Sequence, residues 1–245
     1  MTSLPGVSLL CPTFGRPPEQ KHLIEECILS FLLQDYAGPK ELVILNDCPG
    51  QELVCRAPGV RVVNAGARYS SVGAKRNALV SLATHDLLAL ADDDDIFLPH
   101  RISLSVRMLG RADYWNPRAY WLLWAGRPIV HEQQTGYAHT ASLFRRSAWR
   151  EVGGYDDHCR DDATMDAKLC ACCDVAPGWP LSAAESYYIY RWGLGEHISG
   201  QPDPDAEYLL RGQAPRTPGV FELHPHWRAD YRAMVADALA TDARS

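Results

Sequence analysis

Long hydrophobic runs are missing from this 245-residue chain, and its first residues lack a leader pattern. No apolar stretch reaches the roughly 20 residues that a membrane-spanning helix requires. Residues 1–10 have neither the charged start nor the long apolar segment of a signal peptide. We therefore expect a cytoplasmic protein with no transmembrane segment.

An excess of positive charge is also missing, since the formal net charge is -6. This balance argues against a general affinity for nucleic acid or for an anionic membrane surface. The chain has no internal repeat or low-complexity tract, and its length suffices for one sizeable core. We expect a single globular domain that has no nucleic-acid partner.

The eight cysteines do not form a recognisable metal-binding pattern. Cys170 and Cys173 make one C-x-x-C pair, but a structural zinc site needs a second ligand pair at suitable spacing, and none is clear. We expect most of the cysteines to be buried thiols.

Short apolar runs alternate with helical patterns in the first half of the chain. This alternation predicts βαβ units, and therefore a mostly parallel sheet with helices on both faces. Beyond residue 111 the pattern loosens, and from residue 201 a Pro-rich segment predicts an extended excursion. The predicted strands are 7–11, 42–45, 60–63, 87–91, 120–124, 140–144 and 187–192, and the predicted helices are 18–34, 72–82, 99–109, 147–152, 163–172 and 226–239.

Four consecutive carboxylates, Asp92 to Asp95, follow the apolar run that begins at Leu87. Like charges at one strand end repel one another and resist leaving water, so a bound cation is expected to compensate them. Oxygen ligands on a short loop suit Mg²⁺ or Mn²⁺ with phosphates completing the coordination. The alternative interpretation is a solvated acidic turn.

Thr13 and Asp47 also follow predicted strands, as the acidic run does. Open α/β sheets bind ligands beyond the carboxyl ends of their strands. The sequence therefore predicts one ligand site that combines Thr13, Asp47 and the acidic run.

Five stretches, in order, resemble the family 2 glycosyltransferases, which have the GT-A fold. Residues 7–17 resemble the opening strand and its nucleotide-contacting loop, and residues 41–47 resemble the second strand with its terminal acid. The stretch 73–79 resembles the helix before the metal motif, and 90–99 resembles the D-x-D element with its trailing proline. Residues 141–155 resemble the segment that precedes the acceptor-side acid.

The resemblance implies one GT-A domain over 1–245 with a Rossmann-like sheet. Its nucleotide-binding half would cover about 1–110, its acceptor-binding half about 111–200, and a C-terminal extension 201–245. It also implies a metal-dependent, inverting transfer of a sugar from a UDP-, GDP- or dTDP-sugar to an acceptor hydroxyl on a saccharide or a small molecule.

Site residues are carried over from the resemblance position by position. It implies that Asp94, with Asp92, holds Mn²⁺ or Mg²⁺, and that Asp93 reaches the ribose or helps to hold the metal. For His197, a third metal ligand and an ordinary surface histidine are both open. The remaining donor-binding positions expected are Pro12, Thr13, Arg16, Asp47, Lys75 and Arg76. For Arg16 and Arg76, a surface ion pair is the alternative.

A general base must deprotonate the acceptor hydroxyl within hydrogen-bond reach. We expect Asp162 to be this base, with Asp161 and Asp166 as competitors. Two departures from the family pattern bear on the site: Asn46 stands where an aspartate is common, and Asp161-Asp162 replaces Glu-Asp.

Other functions fit the sequence less well. A phosphatase of the haloacid dehalogenase type carries its aspartate after the first strand, and a nucleotidyltransferase has a Gly-rich loop where this chain has residues 12–16. An EF-hand needs glycine at the position that Leu98 occupies. A catalytically inactive module that only binds a nucleotide sugar is the main alternative.

Overall fold

The computed structural model describes residues 3–133, 138–177, 180–193, 203–213 and 217–242. Its strands are β1 Val7–Thr13, β2 Lys40–Asn46, β3 Gln51–Val54, β4 Val60–Asn64, β5 Leu87–Leu90, β6 Ile96–Phe97, β7 Tyr114–Trp115, β8 Ala119–Trp124, β9 Val130–Gln133, β10 Leu143–Arg145, β11 Tyr188–Trp192 and β12 Gly219–Glu222. Its α-helices are α1 Lys21–Leu32, α2 Val72–Leu82, α3 Arg101–Leu109, α4 Arg146–Glu151, α5 Asp161–Cys172, α6 Pro204–Gln213 and α7 Tyr231–Asp242.

The central sheet has six strands in the order β4-β2-β1-β5-β10-β7. The first four run parallel, whereas β10 is antiparallel to both of its neighbours. Thr13 at the end of β1 pairs with Asn46 at the end of β2, and Leu10 pairs with Leu90 at the end of β5. The predicted, mostly parallel sheet is therefore confirmed, and the carboxyl ends of its strands meet at one edge.

Helices cover both faces of this sheet, as predicted. Because successive side chains of a strand point to opposite faces, Leu9 and Leu10 of β1 enter different cores. Leu9 packs with residues of α1 and α3, whereas Leu10 packs with Leu79 of α2 and Leu169 of α5. The short apolar runs of β1, β2 and β5 are consequently buried on both sides.

A second sheet, in the order β6-β11-β8-β9, begins directly after the acidic run. Here β11 pairs antiparallel with β6 and parallel with β8. Trp121 of β8 is completely buried in this region, while Trp124 at the strand end is 38% exposed. The sequence predicts β8 and β11 as strands but does not predict that they form a separate sheet beside the acidic run.

Two predictions of local structure are wrong, and some strands are not predicted. The segment 140–144 is not one strand, because a 3-10 helix at His139–Ala141 precedes the short β10. The segment after residue 201 is not simply extended, since it contains α6 and then β12. Strand β3 is missed altogether, because its partner β12 lies more than 160 residues further along the chain, where local patterns carry no information about it.

The C-terminal segment is attached to the central part of the fold through Glu26 of α1. Its side chain is almost completely buried and forms an ion pair with Arg191. It also accepts hydrogen bonds from the hydroxyl of Tyr231 at 2.8 Å and from the backbone N–H of Arg228 at 2.9 Å. This single carboxylate therefore joins α1, β11 and the start of α7.

Every helix in the described ranges is too short or too polar to cross a bilayer.

Replacing Glu26 should destabilise this attachment in a pH-dependent way. Burial alone would raise the pKa of Glu26, but the charge of Arg191 and the hydrogen bonds it accepts outweigh burial and lower that pKa. A lowered carboxyl pKa stabilises the fold above the unfolded value of about 4.3, and this contribution is lost as the pH falls through the folded value. We expect Glu26→Gln to lower the free energy of unfolding by about 3 kcal/mol at pH 7, because Arg191 loses its buried partner.

Urea unfolding at several pH values measures this effect, and the difference between wild type and variant should shrink below about pH 4. Glu19→Gln, at an exposed position just before α1, is the matched control. It should change the free energy of unfolding by less than about 0.5 kcal/mol. A constant difference across the pH range would contradict the lowered pKa.

Gly73 allows α2 to lie against the loop before α5. A Cβ at this position would lie 1.8 Å from the carbonyl oxygen of Asp156 and 3.1 Å from the Cβ of Asp161. We expect Gly73→Ala to lower the free energy of unfolding by about 1–3 kcal/mol, because the backbone must shift to accept the methyl group. Gly66→Ala, where nothing lies within 4 Å, is the control in the same urea titration and should be nearly neutral. Equal stability of the two variants would show that α2 can move away without cost.

Candidate active site

The ends of β1 and β5 are joined by hydrogen bonds between side chains. Thr13 donates its hydroxyl to a carboxylate oxygen of Asp93 at 2.5 Å. The guanidinium of Arg16 donates to both oxygens of Asp93, with the Nε contact at 2.9 Å. Burial alone would raise the pKa of Asp93, but the charge and hydrogen bonds of Arg16 outweigh it, so this pKa is lowered. Asp93 is therefore an ionised, buried carboxylate held by the loop after β1.

The four acids of the run differ in exposure and in partners. Asp93 and Asp95 are 6% and 2% exposed, whereas the side chains of Asp92 and Asp94 are 29% and 18% exposed. Asp94 contacts Arg16 at 3.2 Å, and Asp92 accepts a hydrogen bond from the Thr140 hydroxyl at 2.8 Å. Asp92 and Asp94 are thus the two acids of the run that keep surface open to a ligand.

Asp95 connects the acidic run to the second sheet. It accepts a hydrogen bond from the Tyr188 hydroxyl at 2.7 Å and another from the backbone N–H of Arg191 at 3.1 Å. Burial, followed by the charges of Asp94 and Asp92, raises the pKa of Asp95 well above its ordinary value. Asp95 consequently anchors β11 rather than facing a ligand.

The end of β2 is joined to this group through Lys75 of α2. The Lys75 ammonium lies 2.5 Å from the Asp47 carboxylate and donates to the backbone carbonyl of Thr13 at 3.1 Å. Asp47 is completely buried and also accepts the backbone N–H of Tyr69 at 3.0 Å. The structure thereby brings Thr13, Asp47 and Asp93 together at one edge of the sheet. Asn46, where an aspartate is common, instead binds the backbone carbonyl of Gln51 and so holds the β3 turn.

Arg76, the next residue of α2, joins the acidic run to α5. Its guanidinium lies 3.0 Å from Asp161 and 3.5 Å from Asp92. Burial would lower the pKa of Arg76, but the charges of Asp161 and Asp92 raise it well above its ordinary value. Asp161 is completely buried, and burial raises its pKa against the opposing charge of Arg76. Asp161 is thus the buried partner of a structural ion pair.

The neighbouring Asp162 has a different environment. It lies half-buried in the first turn of α5, where the helix N-terminus favours a negative charge. Its carboxylate accepts the backbone N–H of Ala163 at 2.8 Å. Burial raises the pKa of Asp92, and the 29% exposure of its side chain limits this rise. The charge of Asp162 raises the pKa of Asp92 further. Asp162 therefore lies within electrostatic range of the acidic run.

Asp166, the third candidate base, is buried away from this group. It accepts the Tyr114 hydroxyl at 2.5 Å and contacts Nδ1 of His139 at the same distance. The other ring nitrogen of His139 contacts the Tyr155 hydroxyl at 2.8 Å. This network fixes the segment 138–142 against α5, so the role of Asp166 is structural.

Several residues that shape the site lie outside the sequence prediction. Arg101 donates to the backbone carbonyls of Leu90 and Thr140, and so holds Thr140 beside Asp92. Arg191 donates to the backbone carbonyl of Asp94. In the sequence, Arg191 stands out as a charged residue inside the aromatic strand 188–192, and this could have indicated a role for it. Nothing in the local sequence distinguishes Thr140.

A divalent ion is compatible with part of this site. Among the residues in the described ranges, no group of three or more His, Cys, Asp or Glu side chains is arranged to hold a metal. The predicted ligands Asp92 and Asp94 are the exposed carboxylates of the run, and hard oxygen ligands of this kind suit Mg²⁺ or Mn²⁺ when phosphates and water complete the shell. The third predicted ligand, His197, lies outside the described residues.

The architecture is that of the GT-A glycosyltransferases, with a mixed sheet whose parallel strands end at an acidic loop. S. aureus TarS 1-349, crystallised with UDP-GlcNAc, matches with a TM-score of 0.59 at 14% identity over 80% of this chain and 61% of that TarS fragment. The mannosyltransferase PcManGT from Pyrobaculum calidifontis, crystallised with GDP-Man and Mn²⁺, matches with a TM-score of 0.56 at 14% identity over 99% of this chain and 78% of its own.

Residues 8–114 match the model of the family described as glycosyl transferase family 2. A curated relative, the uncharacterized glycosyltransferase YwdF of Bacillus subtilis (strain 168), is 31% identical over 179 residues, which are 61% of this chain and 62% of YwdF. The chain thus spans less than two thirds of the length of this relative. Residues 8–114 are therefore similar to the family 2 glycosyltransferases, and the resemblance found in the sequence is confirmed.

Asp161 and Asp162 should respond differently to the same substitution. We expect Asp161→Asn to lower the free energy of unfolding by about 3 kcal/mol, because Arg76 then lies buried opposite a neutral amide. Asp162→Asn removes only a favourable charge at the start of α5 and should cost no more than about 1 kcal/mol. Urea unfolding of both variants checks this, and equal losses would contradict the division into a buried partner and a half-buried acid.

Proposed function

We propose that this chain is a nucleotide-sugar-dependent glycosyltransferase that transfers a sugar to an acceptor hydroxyl with inversion. The observation that carries the proposal is the meeting of Thr13, Asp47 and Asp93 at the sheet edge, beside the partly exposed acids Asp92 and Asp94. Open α/β sheets bind nucleotides at such an edge. TarS and PcManGT, which share the fold, were crystallised with nucleotide sugars.

The donor nucleotide would lie over the ends of β1 and β2. Asp47 and Thr13 would contact the base or ribose, and Pro12 would line the end of β1 next to Thr13. Arg16 and Lys75 supply positive charge on this side, although both are already paired with acids. A bound nucleotide would therefore compete with the acids that already pair with these two cations.

The diphosphate would lie next to Asp92 and Asp94, which would hold Mn²⁺ or Mg²⁺. Such an ion neutralises the charge that grows on a departing diphosphate. Arg76 contacts Asp92 and keeps this carboxylate oriented on the side of the site that faces α5. PcManGT was crystallised with Mn²⁺.

Asp162 is the proposed general base. It is half-buried in the first turn of α5, so its carboxylate is available to an acceptor hydroxyl. Asp161 is committed to Arg76, and Asp166 is committed to Tyr114 and His139. Attack by the acceptor hydroxyl from the face opposite the diphosphate would invert the anomeric centre.

The donor base stays open among UDP-, GDP- and dTDP-sugars, and the acceptor is proposed as a saccharide or a small hydroxyl compound. The division into a nucleotide-binding part of about 1–110, an acceptor-binding part of about 111–200 and an extension of 201–245 is part of this proposal. The cytoplasmic location stays a prediction.

Calorimetric titration with UDP-, GDP- and dTDP-sugars tests this function. We expect wild type to bind one nucleotide series in the presence of Mn²⁺ and to lose most of that affinity when EDTA removes the ion. Asp94→Ala should lose the metal-dependent part of the affinity, because a principal metal ligand is gone. Asp86→Ala, which removes an acid whose side chain is 90% exposed just before β5, is the matched control and should bind as wild type does.

Slow hydrolysis of the bound donor separates an enzyme from an inactive binding module. Asp162→Asn should bind the donor normally yet hydrolyse it at least about 100-fold more slowly, because general-base catalysis contributes about 10²–10⁴. Binding without any hydrolysis or transfer by wild type would favour the inactive module. Full metal-dependent affinity in Asp94→Ala would contradict the metal assignment.

A further inference from the structure

Arg68 lies between two aromatic rings beside the proposed donor site. Its guanidinium carbon is 3.9 Å from the ring centre of Phe14 and 3.8 Å from that of Tyr208. Phe14 follows Thr13 directly on the loop after β1, whereas Tyr208 belongs to α6 in the C-terminal extension. The two rings therefore form a narrow slot, and a flat group fills it.

Helix α6 is shaped to close this slot. Gly212 lies one turn after Tyr208, and a Cβ at Gly212 would be 2.3 Å from Nη1 of Arg68. The start of the helix is fixed because Asp205 accepts the backbone N–H of Cys159 at 2.7 Å. Tyr208 and Gly212 thus present one face of α6 to the side chain of Arg68.

The slot lies beside Asp47, at the end of β2. The Tyr208 hydroxyl donates to the carbonyl of Tyr69 at 3.2 Å, and the N–H of Tyr69 donates to Asp47 at 3.0 Å. The ammonium of Lys75, which pairs with Asp47, is 5.8 Å from the centre of the Phe14 ring. An aromatic group in the slot would consequently have the polar groups at the end of β2 next to its edge.

Arg68 is a poorly satisfied occupant. Its Nε and Nη1 are buried and have no hydrogen-bond partner among the residues that the structure describes. Buried donors without partners carry a free-energy penalty. Burial lowers the pKa of Lys75, and the nearby charge of Arg68 adds to this lowering. The departure of Arg68 from the slot would relieve both costs.

We propose that the slot between Phe14 and Tyr208 binds the base of the nucleoside diphosphate, and that Arg68 fills it when no nucleotide is bound. This inference rests on the proposed function and adds to it that α6 supplies the outer stacking face. Any nucleobase presents a flat π-face to aromatic rings, so the slot recognises the class of ligand without selecting among bases.

The two side chains should then have opposite effects on binding. Tyr208→Ala removes a stacking face and should weaken the binding of the preferred nucleoside diphosphate about tenfold, whereas Tyr208→Phe keeps the ring and should restore the affinity to within about twofold. Arg68→Ala removes the competing occupant, so more of the unliganded protein is competent and the affinity should rise several-fold. Leu210→Ala, on the same helix with 62% exposure, is the control.

Calorimetric titration of UDP, GDP and dTDP with Mn²⁺ measures these affinities, and thermal denaturation verifies that each variant is folded. Inorganic pyrophosphate with Mn²⁺ is the probe without a base, and its affinity should be the same in wild type, Tyr208→Ala and Arg68→Ala. Weaker nucleotide binding in Arg68→Ala would overturn the inference and make Arg68 a ligand contact or a fixed support of α6. Unchanged nucleotide binding in Tyr208→Ala, or failure of Tyr208→Phe to restore it, would also overturn it.

The proposed function fails by a different result, namely that wild type binds none of these nucleotides in the presence of Mn²⁺. Nucleotide binding by wild type together with an affinity loss in Arg68→Ala would leave that function in place and remove only the role assigned to the slot.

Discussion

The ion pair between Asp93 and Arg16 is the contact on which the site depends. Four adjacent carboxylates at a strand end would repel one another, and the sequence suggests that a bound cation compensates their charge. The structure shows that arginine side chains provide much of this compensation, since Arg16 reaches Asp93 and Asp94 while Arg76 reaches Asp92. The acidic loop is therefore compensated by the protein itself, and a divalent ion would add to an arrangement that is already largely neutralised.

This compensation divides the acidic run into two kinds of residue. Asp93 and Asp95 are buried and join the loop to β1 and β11 respectively, so they set its shape. Asp92 and Asp94 keep exposed surface and are the ones that a ligand can reach. A buried carboxylate is kept because its partners satisfy it, whereas an exposed one is free to exchange partners.

Helix α2 connects the two ends of the site through consecutive residues. Neighbouring positions on an α-helix point about 100° apart, so Lys75 and Arg76 face different strand ends. Lys75 reaches Asp47 after β2, while Arg76 reaches Asp92 after β5 and Asp161 at the start of α5. The close approach of α2 at Gly73 allows both contacts, because a side chain there would collide with the loop before α5.

Apart from β3 and β6, local sequence determined the alternation of strands and helices up to residue 109 and the acids that follow β2 and β5, because these depend on spacing and on nearby residues. Only the tertiary structure decided which acid is buried, that Asp161 pairs with Arg76 while Asp162 does not, and that α6 brings Tyr208 to Arg68. Those outcomes come from contacts between residues far apart in the chain. A carboxylate's exposure and partners are set by what folds against it, and its own neighbours in sequence do not record that.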